Sequence, residues 1–221
     1  LSRLKSETKG NLKCADCDSP NPTCASINLG VLICIECSVI HRNLGSHISR
    51  VRSLDLDDWP QAHLLAMTRL GNHMANSVWE ARILPAHKPG PSSSREDKEK
   101  YIVAKYVRKE MIAPLPPGLS PPSALLSSIS KSNMAGMYLA LAHCKQEDVN
   151  CQTSHETGRT PLHVAAAGGN TIMVQILLWV SMSTHYISKC YNSFCSTRAV
   201  WTLWTPMQKH LSIVLSGIGI W

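Results

Sequence analysis

Four cysteines fall in two tight pairs, Cys14-Ala15-Asp16-Cys17 and Cys34-Ile35-Glu36-Cys37, separated by sixteen residues. Each pair makes a knuckle in which two thiolates converge on one cation, and two knuckles complete the tetrahedral sulfur site that suits zinc. Four protein ligands leave no position for water, so such a metal is structural and its binding energy becomes folding energy. The alternative is four unrelated buried cysteines, which the spacing disfavours. Cys24, inside the intervening loop, and His41, four residues after Cys37, are the candidates to replace a ligand. Cys144, Cys151, Cys190 and Cys195 show no such convergence and are expected to be buried or free thiols.

A four-cysteine finger does not define a function. The residues after it narrow the choice: Cys34-Ile35-Glu36-Cys37-Ser38-Val39-Ile40-His41-Arg42-Asn43-Leu44-Gly45, then His47-Ile48-Ser49 and Val51-Arg52-Ser53. This run resembles the signature of Arf GTPase-activating proteins, and Asn28-Leu29-Gly30-Val31, Leu54-Asp55-Leu56-Asp57-Asp58-Trp59-Pro60 and Ala75-Asn76-Ser77-Val78-Trp79-Glu80 extend it over about residues 8–117. It looks most like the subfamily that joins a Ras-like GTPase domain, a PH domain and ankyrin repeats, the centaurin-gamma group. The resemblance implies an activator that works in trans on GTP-bound Arf, with no chemistry of its own on a small molecule. It also implies that Arg42 is an arginine finger, compensating charge on the transferring phosphoryl group, an effect worth about 10³–10⁵ in rate. Ile40, Arg50 and Asp57 are the implied partner-facing residues, although Asp57 is equally suited to capping a helix at Pro60 and Arg50 to facing solvent. His41 either orders the finger or packs internally; packing is favoured because the reaction needs no base from the activator.

Two positions depart from the family pattern. Cys24 follows Asn21-Pro22-Thr23 where the family has tryptophan, and Val39 follows Cys37-Ser38 where it has glycine. The first removes a large aromatic surface, about 2–5 kcal/mol of packing or contact. The second adds a branched side chain where a helix is expected to approach another backbone. Together they favour, as the alternative reading, a catalytically weakened scaffold acting through its finger and ankyrin segment.

The elements that must position these residues are also legible. Asp57-Asp58-Trp59-Pro60 predicts a helix start with an acidic cap, followed by Leu64, Leu65, Met67 and Leu70 at helical spacing. Met74, Val78 and Trp79 give a second pattern. A third helix follows Ser92-Ser93-Ser94, with Ser93 and Glu96 at capping-box spacing, and carries Tyr101, Ile102, Lys105 and Tyr106 toward Met111. Alternation over Ile48–Leu54 predicts a strand. The expected fold is mixed α+β and mostly helical: an Arf GAP zinc-finger domain over 1–112, a linker over 113–122 with five prolines, an incomplete ankyrin-like segment over 123–180 and a divergent tail over 181–221. The ankyrin signal is Thr160-Pro161-Leu162-His163-Val164-Ala165, in which Thr160 caps a helix and His163 belongs to the fold's own hydrogen bonding.

Composition bounds the rest. The chain has 221 residues, 44% hydrophobic and 17% charged, a net charge of +7 and a pI near 9.0. These values exclude general disorder, and no apolar run reaches the length of about 18 residues that a membrane-spanning helix needs. A DNA-binding finger is the outside reading, but it wants a basic stripe after the finger, and Asp55, Asp57 and Asp58 interrupt any such stripe. Paired cysteines in a metal pattern predict a reducing, cytoplasmic setting, with recruitment to membranes through Arf or an upstream PH domain; the start at Leu1 suggests a piece of something longer. The ankyrin segment adds an expectation of protein partners.

Overall fold

In the computed structural model, which describes residues 2–83, 87–152 and 159–180, a small sheet lies against a helical body. The sheet has three antiparallel strands, β1 (Cys24–Ser26), β2 (Val31–Ile33) and β3 (Val51–Ser53), in the order β2-β1-β3. Ala25 pairs with Leu32 on one side and Arg52 on the other. The predicted strand over Ile48–Leu54 is shorter than expected because a turn takes its first residues: the Ile48 and Ser49 amides both donate to the Gly45 carbonyl. Gly30, at φ +65, lets the β1–β2 connection pass close to Leu70, whose Cδ1 lies 2.5 Å from where a Cβ would stand.

Helix α1 (Ser2–Ser6) precedes the sheet, and α2 (Ile35–Asn43) springs directly from β2. Helix α3 (Gln61–Trp79) is broken at Gly71, where φ 72 and ψ 163 separate the two apolar patterns read from sequence into two limbs. The break turns Asn72 inward: its side chain accepts from the Leu32 amide at 2.6 Å and donates to the Lys13 and Leu32 carbonyls. The expected acidic cap is not formed. Pro60 is the N-cap residue with no side-chain bond, and the Asp57 carboxylate instead accepts from the Ser53 amide at 2.7 Å, closing the turn after β3. Helix α4 (Arg95–Ile102) is capped by Ser94, not Ser93, because the Ser93 hydroxyl is already taken by the Gly90 amide. It passes into a π-helical turn, Val103–Val107, closed by the Arg108 amide on the Val103 carbonyl.

After an irregular stretch, α5 (Pro121–Ser130) begins with both of its prolines in the first turn, where the missing N–H costs nothing, under a Ser120 cap. It packs on α6 (Met134–His143); α7 (Gln146–Val149) follows, and then the pair α8 (Pro161–Ala167) and α9 (Thr171–Val180). Thr160 caps α8 as expected, its hydroxyl 2.8 Å from His163 Nδ1. The tail 181–221, with Cys190 and Cys195, lies outside the described residues.

The proline-rich stretch does not separate the two halves. Helices α6 and α9 pack on α3, and one continuous apolar core runs from Leu4 to Trp179. Trp79 Nε1 donates to the Tyr138 hydroxyl at 2.9 Å, and that hydroxyl donates to the Leu29 carbonyl at 2.5 Å. Lys109 Nζ donates to the Ala142 carbonyl at 2.7 Å. Among the described residues no helix is long and apolar enough to cross a membrane.

Candidate functional site

Cys14 and Cys17 sit in a tight turn held by the Cys14 amide on the Ser19 carbonyl and the Asp18 amide on the Cys14 carbonyl. Cys34 is the N-cap of α2, its sulfur accepting from the Cys37 amide, so the second knuckle is the start of the helix itself. All four sulfurs lie within 4.8 Å of one another. Tetrahedral zinc with bonds of about 2.3 Å places its sulfurs about 3.8 Å apart, and Cys17 Sγ and Cys34 Sγ are 3.7 Å apart. The donor set therefore fits zinc. Bonding to Cys17 brings the Cys14 thiol down to about 6 and bonding to Cys14 brings Cys34 down, whereas contact with Cys14 pushes Cys17 and Cys37 up. A divalent cation held by four sulfurs draws the thiols to their thiolate form. Cys24 does not join the cluster; it is 2% exposed in β1. Nor does His41, both of whose ring nitrogens are engaged elsewhere. Cys144 is buried, which raises its thiol to about 12.

Arg42 stands on the last turn of α2, exposed, with Nη1 donating to Ser38 Oγ at 3.0 Å; that hydroxyl donates to the Ile35 carbonyl. Ile35, Val39 and Arg42 follow at i, i+4 and i+7 and share one helix face. Ile35 is 64% and Val39 39% exposed, so this face is an apolar strip ending in a guanidinium. Two expectations are corrected here. Ile40 is only 1% exposed and packs in the core, so it offers nothing to a partner. Val39 does not crowd a neighbouring backbone, because it points to the surface. Asp57 is exposed and Arg50 half-buried, its Nε donating to the Ser46 carbonyl at 3.4 Å; Leu56, beside Asp57, is 91% exposed.

A buried polar cluster behind the finger was not anticipated from sequence. Asp16, between Cys14 and Cys17, accepts from Lys105 Nζ at 2.9 Å and from the Tyr106 hydroxyl at 2.8 Å, and its other oxygen lies 2.8 Å from His41 Nε2. Lys105 also reaches Glu80 at 2.7 Å, Asn76 at 2.9 Å and the Ala15 carbonyl. The side chains of Asp16, His41 and Lys105 are fully buried. The π turn makes this arrangement: it carries Lys105 and Tyr106 inward from adjacent positions. Lys98, likewise buried, fixes α4 to the first turn of α2 through Glu36 at 2.6 Å. The signals for it in the sequence are an acidic residue enclosed by two paired cysteines and a lysine within an aromatic and apolar helix face.

Residues 1–115 match the ArfGap family model, described as GTPase activating protein for Arf. The chain belongs to the Arf GAP family. Residues 136–178 match an ankyrin-repeat model. The human Arf-GAP with coiled-coil, ANK repeat and PH domain-containing protein 3 is 52% identical over 126 residues, 55% of this chain and 15% of that protein. The mouse Arf-GAP with coiled-coil, ANK repeat and PH domain-containing protein 2 is 42% identical over 160 residues, 69% of this chain and 21% of that protein. The chain thus spans between 15% and 21% of these two relatives. Their names carry a coiled coil where the sequence resemblance pointed to a Ras-like GTPase domain. Among solved structures, the ArfGap domain of human RIP is 24% identical with a TM-score of 0.46, over 51% of this chain and 84% of that one.

Proposed function

We propose that this Arf GAP chain stimulates GTP hydrolysis by GTP-bound Arf-family GTPases in trans, with Arg42 as the arginine finger and one structural zinc on Cys14, Cys17, Cys34 and Cys37. The observation that carries this reading is an exposed arginine five residues beyond a ligand-type cysteine, on a helix whose start is the cysteine knuckle. Zinc, when bound, supplies a crosslink between the Cys14–Cys17 turn and α2. The chain's own residues do the rest. Ser38 holds the guanidinium in reach of solvent, and Ile35, Val39 and Leu56 offer apolar contact to a partner. Arginine is always charged and its planar fork spans two phosphate oxygens, so it neutralises the charge that develops as the γ-phosphoryl group leaves. The setting proposed is cytoplasmic, with recruitment to membranes through the partner, and the ankyrin helices are proposed as a further protein-binding surface.

The test is single-turnover hydrolysis of Arf-bound GTP with the zinc-loaded chain, its chelated form, Arg42→Ala and Arg42→Lys. The expected result is a loss of about 10³–10⁵ in stimulation for Arg42→Ala, little rescue by lysine, and no stimulation after chelation. Full stimulation by Arg42→Ala would remove the finger assignment. A second reading, a scaffold with weakened catalysis, rests on the buried Cys24; binding of GTP-loaded Arf without any stimulation by the parent chain would favour it.

A further inference from the structure

The residue before Arg42 is a histidine with no access to solvent and a partner on each ring nitrogen. His41 Nε2 lies 2.8 Å from Asp16 Oδ2, in the first zinc knuckle, and Nδ1 lies 2.8 Å from Ser49 Oγ. Ser49 Oγ is in turn 2.8 Å from Ser26 Oγ on β1, and Asn28, next along, accepts from the Arg50 amide and donates to the Ile48 carbonyl. One face of the imidazole meets the Tyr106 ring at 5.1 Å between centroids. The imidazole therefore ties three separate pieces of chain together: the knuckle, the last turn of α2, and the loop over residues 44–50.

We propose that His41 is a positioning residue for the finger: held between Asp16 and Ser49, it fixes the last turn of α2 and the 44–50 loop, and so fixes the backbone from which Arg42 projects. The inference rests on the reading of Arg42 as the finger. Without such a clamp the site has an evident weakness. Arg42 lies in the final turn, which frays first, and the carbonyls of that turn are met only by the Leu44 and Gly45 amides, at the start of the very loop that His41 ties down. Its side chain has four freely rotatable bonds and a hydrogen bond to Ser38, so the accuracy of the guanidinium is set by the backbone beneath it. Packing alone would be met by any apolar residue of similar size. A histidine with both nitrogens engaged adds direction at two points, as a preorganised site requires. The role needs no proton transfer, consistent with a reaction in which the activator contributes no base.

Three zinc-loaded forms of the 221-residue chain are compared: parent, His41→Leu, which fills the space but makes neither bond, and His41→Gln, whose amide is long enough to reach Asp16. Hydrogen exchange reads the backbone independently of activity. Amides from Arg42 to Ser49 are expected to exchange at least tenfold faster in His41→Leu and to recover most of their protection in His41→Gln, with zinc content unchanged in all three. In steady-state assays on GTP-loaded Arf, His41→Leu is expected to lose about 10–100-fold in kcat with KM within twofold of the parent, as for a misplaced group that acts only in the transition state. Unchanged exchange at 42–49 in zinc-loaded His41→Leu overturns the proposal, as does an unchanged kcat, or a Gln variant no better than Leu. If the parent itself gives no stimulation, the activator reading fails, and the exchange comparison still decides whether His41 fixes the turn.

Discussion

Replacing Lys105 by methionine tests the buried cluster most directly, because the stem keeps its volume and only the ammonium is lost. Lys105 Nζ bonds Asp16 at 2.9 Å and Glu80 at 2.7 Å, and stands 4.9 Å from the Tyr106 ring centroid. Removing one partner of a buried ion pair costs about 3–5 kcal/mol, because the other charge is left uncompensated. Here Asp16 keeps Tyr106 and His41, and Glu80, 10% exposed, keeps Tyr101 and Lys88. The expected cost is therefore at the low end, about 3 kcal/mol. For a chain of this size that is a Tm lower by about 6–12 °C. Thermal unfolding followed by circular dichroism, at matched protein and zinc concentrations, provides the assay. Burial drives the Asp16 carboxyl upward most strongly, yet the Lys105 ammonium and His41 outweigh it and hold it below the ordinary carboxylate range. A depressed carboxyl contributes stability above its unfolded value of about 3.9, lost as pH falls through the folded value. In Lys105→Met burial meets less opposition, so the carboxyl rises and the variant's deficit is widest near neutral pH and narrows on acidification, as the variant's carboxyl takes up its proton before the parent's does. A fall in Tm of less than about 2 °C at pH 7, or a deficit that grows on acidification, would refute the account.

Gly71→Ala is expected to cost about 1–3 kcal/mol, because φ is +72 there and the new Cβ would stand 2.4 Å from Thr8 Cγ2; the urea midpoint at constant m measures it. Tyr138→Phe strands the Trp79 N–H and the Leu29 carbonyl, both buried, and is expected to cost about 1–3 kcal/mol; the same titration, followed by tryptophan fluorescence, should show one unfolding transition moving to lower urea for both halves together.

Much of this fold was readable because it is encoded locally. The cysteine spacing picked out the four sulfurs that cluster, the Thr-Pro-Leu-His run marked the start of α8 and its cap, and the apolar periods around Leu70 and Val78 marked the limbs of α3. Caps were misassigned where several competent residues adjoin: Ser93 and Ser94 differ only in that the Gly90 amide claims the first, and Asp57 is drawn away by the Ser53 amide. Ile40 was misplaced because motif position says nothing of which side of a nine-residue helix faces inward, whereas Ile35, one turn earlier, is the exposed member. The Asp16–Lys105 pair lies 89 residues apart in sequence, and a π turn shifts the helical phase that would have revealed it. Contacts of that range depend on tertiary packing, which no local period records.

The Tyr138 hydroxyl is shared between a tryptophan at the end of α3 and the carbonyl of a loop beside the sheet. A cut at the proline-rich stretch looks harmless on a linear map, yet it would leave the Trp79 N–H and the Leu29 carbonyl without their shared partner and would bare the apolar faces of α3 that α6 and α9 cover. The first half expressed without the second is therefore expected to be less stable and more prone to aggregate than its own compact sheet and zinc-type cluster suggest.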